Sequence, residues 1–404
     1  MLLVFAAALG CGSQMKPVTT APQTSPSFPE ERRAGVLVLG SPHLFAGIPG
    51  AGPLKPAEIR TWLANPDVHT PLKVVLPLGL DTLVAEDFIP AENPLTRAKI
   101  ELGRQLFFDR RLSRGGNRGC VDCHAPRQAY ANYFFDQQRR EPPAAFNRLL
   151  STVQFWDGRA TALETQPRIP LEAADELDLP PEELVSRLKA IPGYRLQFET
   201  IFGETTFDSI GAALACFQRA LVSGPAPWDY HATYERLSPR PADELTADEA
   251  ALLAHAALGR ERFPLSAAAL RGSELFFSER TGCSVCHTGP NFTDESFHNT
   301  GAGTDRPQPD EGRFRVTSRE EDRGAFKTPT LRNLARSGPY LHDARFSRLV
   351  DVVNFFCDGG IENSHRSPLL NRLELTVEER RDLVAFLESL NGALPEPNED
   401  RLPE

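Results

Sequence analysis

Methionine is nearly missing from this chain. Only Met1 and Met15 occur in 404 residues, so nothing beyond the N-terminus offers a thioether to a metal. A surplus of basic charge is missing too. The net charge is −10 at pH 7, which excludes the electrostatic footprint of a nucleic-acid-binding protein. The apolar stretch Met1 to Gly10 is too short to cross a bilayer as a helix. Alternating strand patterns are scarce, and Val74 to Leu80 is the best candidate. Seven cysteines occur, and their spacing implies no disulfide framework.

Four of those cysteines fall in two copies of one motif. They are Cys120-Val121-Asp122-Cys123-His124 and Cys283-Ser284-Val285-Cys286-His287. In C-x-x-C-H the two thiols add across the vinyl groups of one porphyrin and the adjacent His ligates its iron. A single copy would also suit a zinc site or a redox dithiol. Two complete copies point to two covalently bound haems c.

A repeat surrounds them. Gly103-Arg104-Gln105-Leu106-Phe107-Phe108 precedes the first motif and Gly272-Ser273-Glu274-Leu275-Phe276-Phe277 the second, so one helix-loop-haem unit is used twice. Amphipathic helices are expected over Pro181 to Ala190 and Ile210 to Leu221, the second burying Cys216 as a core thiol. Capping boxes at Thr246 and Thr376 open helices over about 247–260 and 377–390. The fold expected is mainly α. Two cytochrome c-like haem domains with long irregular loops, 97–260 and 261–404, follow an irregular N-terminal extension, 35–96. Residues 1–11 resemble a lipoprotein-type signal ending at a lipidated Cys11, although an ordinary secretory leader remains open and the basic start of such signals is missing. Residues 12–34, rich in Pro, Ser, Thr and Gln, read as a flexible tether. Either leader places the protein in the periplasm. The lipoprotein form would anchor it to a membrane through Cys11 alone.

The stretch after the first motif is the most informative. It reads Phe155-Trp156-Asp157-Gly158-Arg159-Ala160, then Leu163-Glu164-Thr165-Gln166, then an acidic cluster of Glu172, Asp175, Glu176 and Asp178. Further on stand Phe326-Lys327-Thr328-Pro329-Thr330-Leu331-Arg332-Asn333 and Gly338-Pro339-Tyr340-Leu341-His342-Asp343. On these runs and the two haem motifs, the chain from Pro94 to Leu390 resembles the bacterial dihaem cytochrome c peroxidase and MauG superfamily. The resemblance implies that Trp156 lies between the haems and carries electrons, where the alternative is a buried structural Trp. It puts Gln166, ten residues on, beside the peroxide site, and makes Glu176, twenty residues on, the acid–base residue for O–O cleavage. The family's usual Asn-Pro-x-Glu-Met is here Ala173-Ala174-Asp175-Glu176-Leu177, which leaves Asp175 or Glu172 as substitutes. An acidic helix N-terminus would also explain the cluster.

His124 and His287 are then the proximal ligands. No other His lies between His124 and Trp156, where peroxidases of the family carry a blocking ligand, so an open first haem is expected. No Met is available for the second haem, and Phe356 occupies the position of a ligating Tyr. That leaves His287 alone or with water, or else Cys357, His298 or another His. The family also binds calcium between the haems, which maps onto Glu141, Ser337 and Pro339; Glu replaces an Asn there and is still a hard oxygen ligand. His342 reads as structural, or as hydrogen-bonded to a haem propionate, rather than catalytic. The activity implied is an oxidoreductase that reduces hydrogen peroxide with electrons from a small periplasmic donor. A first alternative is a MauG-like enzyme that uses the high-valent dihaem state to oxidise residues of a partner protein. A second is a dihaem electron carrier without catalysis.

Overall fold

The computed structural model describes the backbone of residues 31–33 and all of residues 35–131 and 140–404. The leader, Cys11 and most of the 12–34 tether lie outside the described residues. The N-terminal extension opens with β1 (Glu31–Arg33) and β2 (Val36–Val38), paired antiparallel; β2 runs parallel to β3 (Val74–Val75). The strand expected over Val74 to Leu80 ends after two residues, because Pro77 has no amide for the ladder. Helix α1 (Pro56–Leu63) completes the extension.

The first haem unit is built on α2 (Arg97–Phe108) and includes α3 (Arg168–Glu172), α4 (Pro181–Ala190), α5 (Pro192–Phe202) and α6 (Phe207–Ala220). Thr96 accepts from the Lys99 amide and caps α2. Helix α6 starts three residues before its expected boundary, where the Thr206 hydroxyl accepts from the Ser209 amide at 3.1 Å. Its face buries Ile210, Leu214 and Phe217, and Cys216 is fully buried, as a core thiol should be. Helices α7 (Pro227–Leu237) and α8 (Ala247–Arg262) form a hairpin.

The second unit is built on α9 (Ala267–Phe276), α10 (Cys283–Cys286), α11 (Phe314–Thr317), α12 (Leu349–Cys357) and α13 (Val377–Glu388). Strands β4 (Phe297–His298) and β5 (Phe326–Lys327) pair antiparallel within it.

The repeated glycine explains why the two units look alike. A Cβ on Gly103 would lie 2.0 Å from the Ala213 carbonyl oxygen, and one on Gly272 would lie 1.9 Å from that of Asp382. In each unit a helix preceding the haem motif crosses a later helix at backbone contact, which only Gly permits. The aromatic residues after it fill the core beside the motif: Phe107 lies 5.2 Å from Phe217, and Phe276 lies 4.9 Å from Phe386.

The C-terminal tail returns across the N-terminal extension and the first unit. The Leu54 amide donates to Leu402, Arg401 donates to the Ile48 and Gly52 carbonyls, and the Tyr130 hydroxyl donates to Pro395 at 2.6 Å. Trp228 on α7 packs into the second core, 5.0 Å from Phe386. Among the described residues no helix is long and apolar enough to cross a membrane.

Candidate haem sites and the seam between them

The first motif forms one tight turn, in which the His124 amide donates to the Cys120 carbonyl at 2.9 Å. The imidazole Nδ1 lies 2.9 Å from the Tyr130 carbonyl, which can only accept, so Nδ1 carries the proton and Nε2 keeps its lone pair. Ala129 and Tyr130 both take positive φ to aim that carbonyl. Burial pushes the His124 pKa down, against the Tyr130 hydrogen bond, which holds the neutral form that binds iron. Burial also pushes Cys120 up to about 12. That is the reverse of the low-pKa thiolate of a redox dithiol.

The motif opens onto a cavity that is partly open to solvent. Cys120, Cys123 and His124 line it together with Gln166, Glu176 and Gln218. Glu176 sits in a turn in which its amide donates to Ala173. Arg118, two residues before the first cysteine, donates to the Glu176 carbonyl at 2.8 Å, and Arg114 pairs with Asp178 at 2.7 Å. The loop that delivers the cysteines therefore also holds the turn carrying Glu176. Glu172 and Asp175 are exposed and are not among the lining residues; Glu172 pairs with Arg168 along α3.

The second motif repeats the arrangement. His287 Nδ1 lies 3.0 Å from the Phe292 carbonyl, with Phe292 at positive φ, and burial lowers the His287 pKa. Burial pushes Cys286 up to about 11. Ligand atoms of Cys286, Asp294 and His298 lie within 4.8 Å of one another. With Cys286 bonded to a porphyrin, that group has no free thiolate left for a metal ion. His298 is bonded to Asp294 at 2.9 Å, and the Asp294 amide donates to Cys286. It is thus tied to the loop that carries His287. Cys357 is buried in the apolar cluster with Phe276 and Phe386.

Between the motifs runs a seam of contacts. Trp156 donates its indole N–H to the Glu141 carbonyl at 2.6 Å, and the Glu141 amide donates to the His342 carbonyl at 2.7 Å. The Glu141 side chain is buried, and its backbone is joined to His342, three residues after Pro339. The His342 ring stacks on Phe326 at 3.5 Å and meets Trp156 edge-on at 6.4 Å. Burial holds the His342 pKa down at about 4. The Lys327 amide donates to the Trp156 carbonyl at 2.8 Å, and Glu295 accepts from Lys327 on one side and from Ser151 and Thr152 on the other. Trp156 thus touches both haem-bearing units.

A family model described as di-haem cytochrome c peroxidase matches residues 97–236. The chain is 39% identical over 330 residues to the methylamine utilization protein MauG of Methylorubrum extorquens, covering 78% of this chain and 83% of that protein. The chain belongs to the bacterial dihaem cytochrome c peroxidase and MauG superfamily. The cytochrome c551 peroxidase of Nitrosomonas europaea is 31% identical over 319 residues, covering 76% and 84% of the two chains. Among solved structures, a MauG-like protein associated with microbial copper homeostasis superposes with a TM-score of 0.63 at 27% identity, covering 75% of this chain and 92% of that one. The fold is shared with the diheme peroxidase BthA of Burkholderia thailandensis, with a TM-score of 0.59.

As a member of this superfamily the protein is an oxidoreductase of the cytochrome c peroxidase type with two c-type haems. The donor sets fit that group: each motif pairs two thiols with an imidazole whose Nδ1 is held by a backbone carbonyl. Arg118 and Gln218 do not stand out in the sequence, and Phe326 and Lys327 stand there only within a family-like run, without a role of their own. Each acquires its partner only through the tertiary fold.

Proposed function

We propose that this chain is an exported dihaem peroxidase that reduces hydrogen peroxide to water at the first haem, with electrons relayed through the second. The observation that carries the reading is the convergence of Gln166 and Glu176 on the cavity that His124 opens into. Bound there, haem supplies the redox-active iron at which the O–O bond breaks. The protein's part is proton handling. Glu176 would take a proton from one peroxide oxygen and return it to the other, so that the leaving group departs as water. Gln166 would donate a hydrogen bond to peroxide. Trp156 carries electrons across the seam from the second unit, which receives them from a small periplasmic donor. Each turnover consumes one peroxide, two electrons and two protons and yields two waters. Glu141, with carbonyls of the Ser337–Pro339 turn, would hold a calcium ion through hard oxygen ligands. Export, with or without lipidation at Cys11, fits covalent haem attachment outside the cytoplasm.

A second reading spends the same oxidising power on residues of a partner protein. The identity to MauG favours it, as does the lack of any Met beyond Met15. Turnover with a small reduced cytochrome supports the first reading, and a mass shift on a co-purifying protein supports the second.

Substituting Glu176→Gln tests the proton role. The rate of reaction with peroxide is expected to fall about a hundredfold while the haem spectrum stays that of the parent. An unchanged rate would remove Glu176 from the mechanism.

A further inference from the structure

We propose that Gln218 is a positioning residue that fixes the orientation of the Gln166 amide in the first cavity. This rests on the reading of that cavity as the peroxide site. Gln218 lies in the last turn of α6 and lines the same cavity as His124, Gln166 and Glu176. Its Nε2 donates to Gln166 Oε1 at 3.5 Å. That distance is long, and contacts of this kind tighten when a site is filled.

The backbone around the pair is built for it. A Cβ on Gly211 of α6 would lie 2.2 Å from the Glu164 carbonyl oxygen, so the helix and the 164–166 segment meet at backbone contact. Arg219, adjacent to Gln218 and buried, grips the Glu164 carboxylate with both terminal nitrogens, and Asn93 donates to it at 2.9 Å. Glu164 is two residues before Gln166. The segment carrying Gln166 is thus fastened to α6, and Gln218 acts on the orientation of the Gln166 amide.

That rotation matters because the two ends of a primary amide are opposites. Nε2 donates two hydrogen bonds and Oε1 only accepts. With Oε1 engaged by Gln218, the NH₂ group is left to face the cavity and donate to a bound oxygen. Turned the other way, the carbonyl would face that oxygen and repel the charge developing on it.

Fluoride binding to the ferric, haem-loaded protein reads this orientation without turnover, because bound fluoride accepts hydrogen bonds from donors in the cavity. Q218L removes the donor; Q218E substitutes an acceptor that draws the Gln166 NH₂ away from the cavity. Both variants are expected to weaken fluoride roughly tenfold with the ligand-free spectrum unchanged, and Q166A/Q218L is expected to bind no more weakly than Q166A alone. Parental fluoride affinity in both Q218L and Q218E, or full additivity in the double variant, would overturn the proposal. If Q166A alone changes neither fluoride affinity nor the peroxide rate, the reading of the cavity fails, and the role of Gln218 fails with it.

Discussion

Trp156 and Glu141 are joined by a 2.6 Å hydrogen bond from the indole N–H to a backbone carbonyl. Because the Glu141 amide is itself bonded to His342, the indole is locked to both haem-bearing units at once. An indole held in one orientation between the two units suits the electron-carrying role proposed for it.

Replacing Trp156 by Phe keeps the aromatic volume and removes the indole hydrogen bond. The first haem of W156F should still react with peroxide, while the spectral response of the second haem slows about tenfold or more. Rapid-mixing spectra recorded at the two haem bands check this. Equal slowing at both bands would mean that Trp156 acts within the first site instead.

The glycine crossings make a stability prediction. Gly272→Ala drives a methyl group into the Asp382 carbonyl, which has no room to give, and should cost about 1–3 kcal/mol or more. Gly282→Ala meets no atom within 4 Å but must hold a φ of +63°, and should cost about 1 kcal/mol. Thermal unfolding of the holoprotein decides the order. A G272A variant as stable as the parent would show that the α9–α13 contact adjusts freely.

How legible was this in the sequence? The haem motifs were, because five consecutive residues define their own geometry. The helices opened by Thr246 and Thr376 were also legible, since each cap bonds to a residue three positions on. The run Ile210 to Leu221 located α6, and the chemistry of Thr206 and Ser209 explains its earlier start. The short reach of β3 follows from Pro77. The crossings at Gly103 and Gly272 were not legible, although the repeat containing them was: a glycine's role depends on the helix that arrives against it. The return of residues 392–404 over the first unit carries no periodicity. The same holds at the cavity. The family resemblance, counted from Trp156, pointed to Gln166 and Glu176, while Arg118 and Gln218 reach them only through the fold.

Lys327 gives a pH prediction. Burial, aided by the nearby Arg148, pushes its pKa down to about 8 in spite of the Glu295 carboxylate. The unfolded chain, with an ordinary lysine, therefore binds more protons between about pH 8 and 10.5, and this group's contribution to stability rises with pH across that window. The full change approaches about 3 kcal/mol. Denaturant unfolding at pH 7.5 and 10, compared between the parent and K327M, isolates it. The parent should gain on K327M as pH rises. An unchanged difference would mean that Lys327 stays charged in its ion pair throughout.

Peroxide reduction by Gln166 and Glu176 requires an open first haem. The most direct measurement mixes the oxidised, haem-loaded protein with one equivalent of hydrogen peroxide in a stopped-flow spectrometer. Immediate loss of the high-spin ferric band without prior reduction is expected. No reaction until the protein is half-reduced would contradict it, because a ligand would then be blocking the iron.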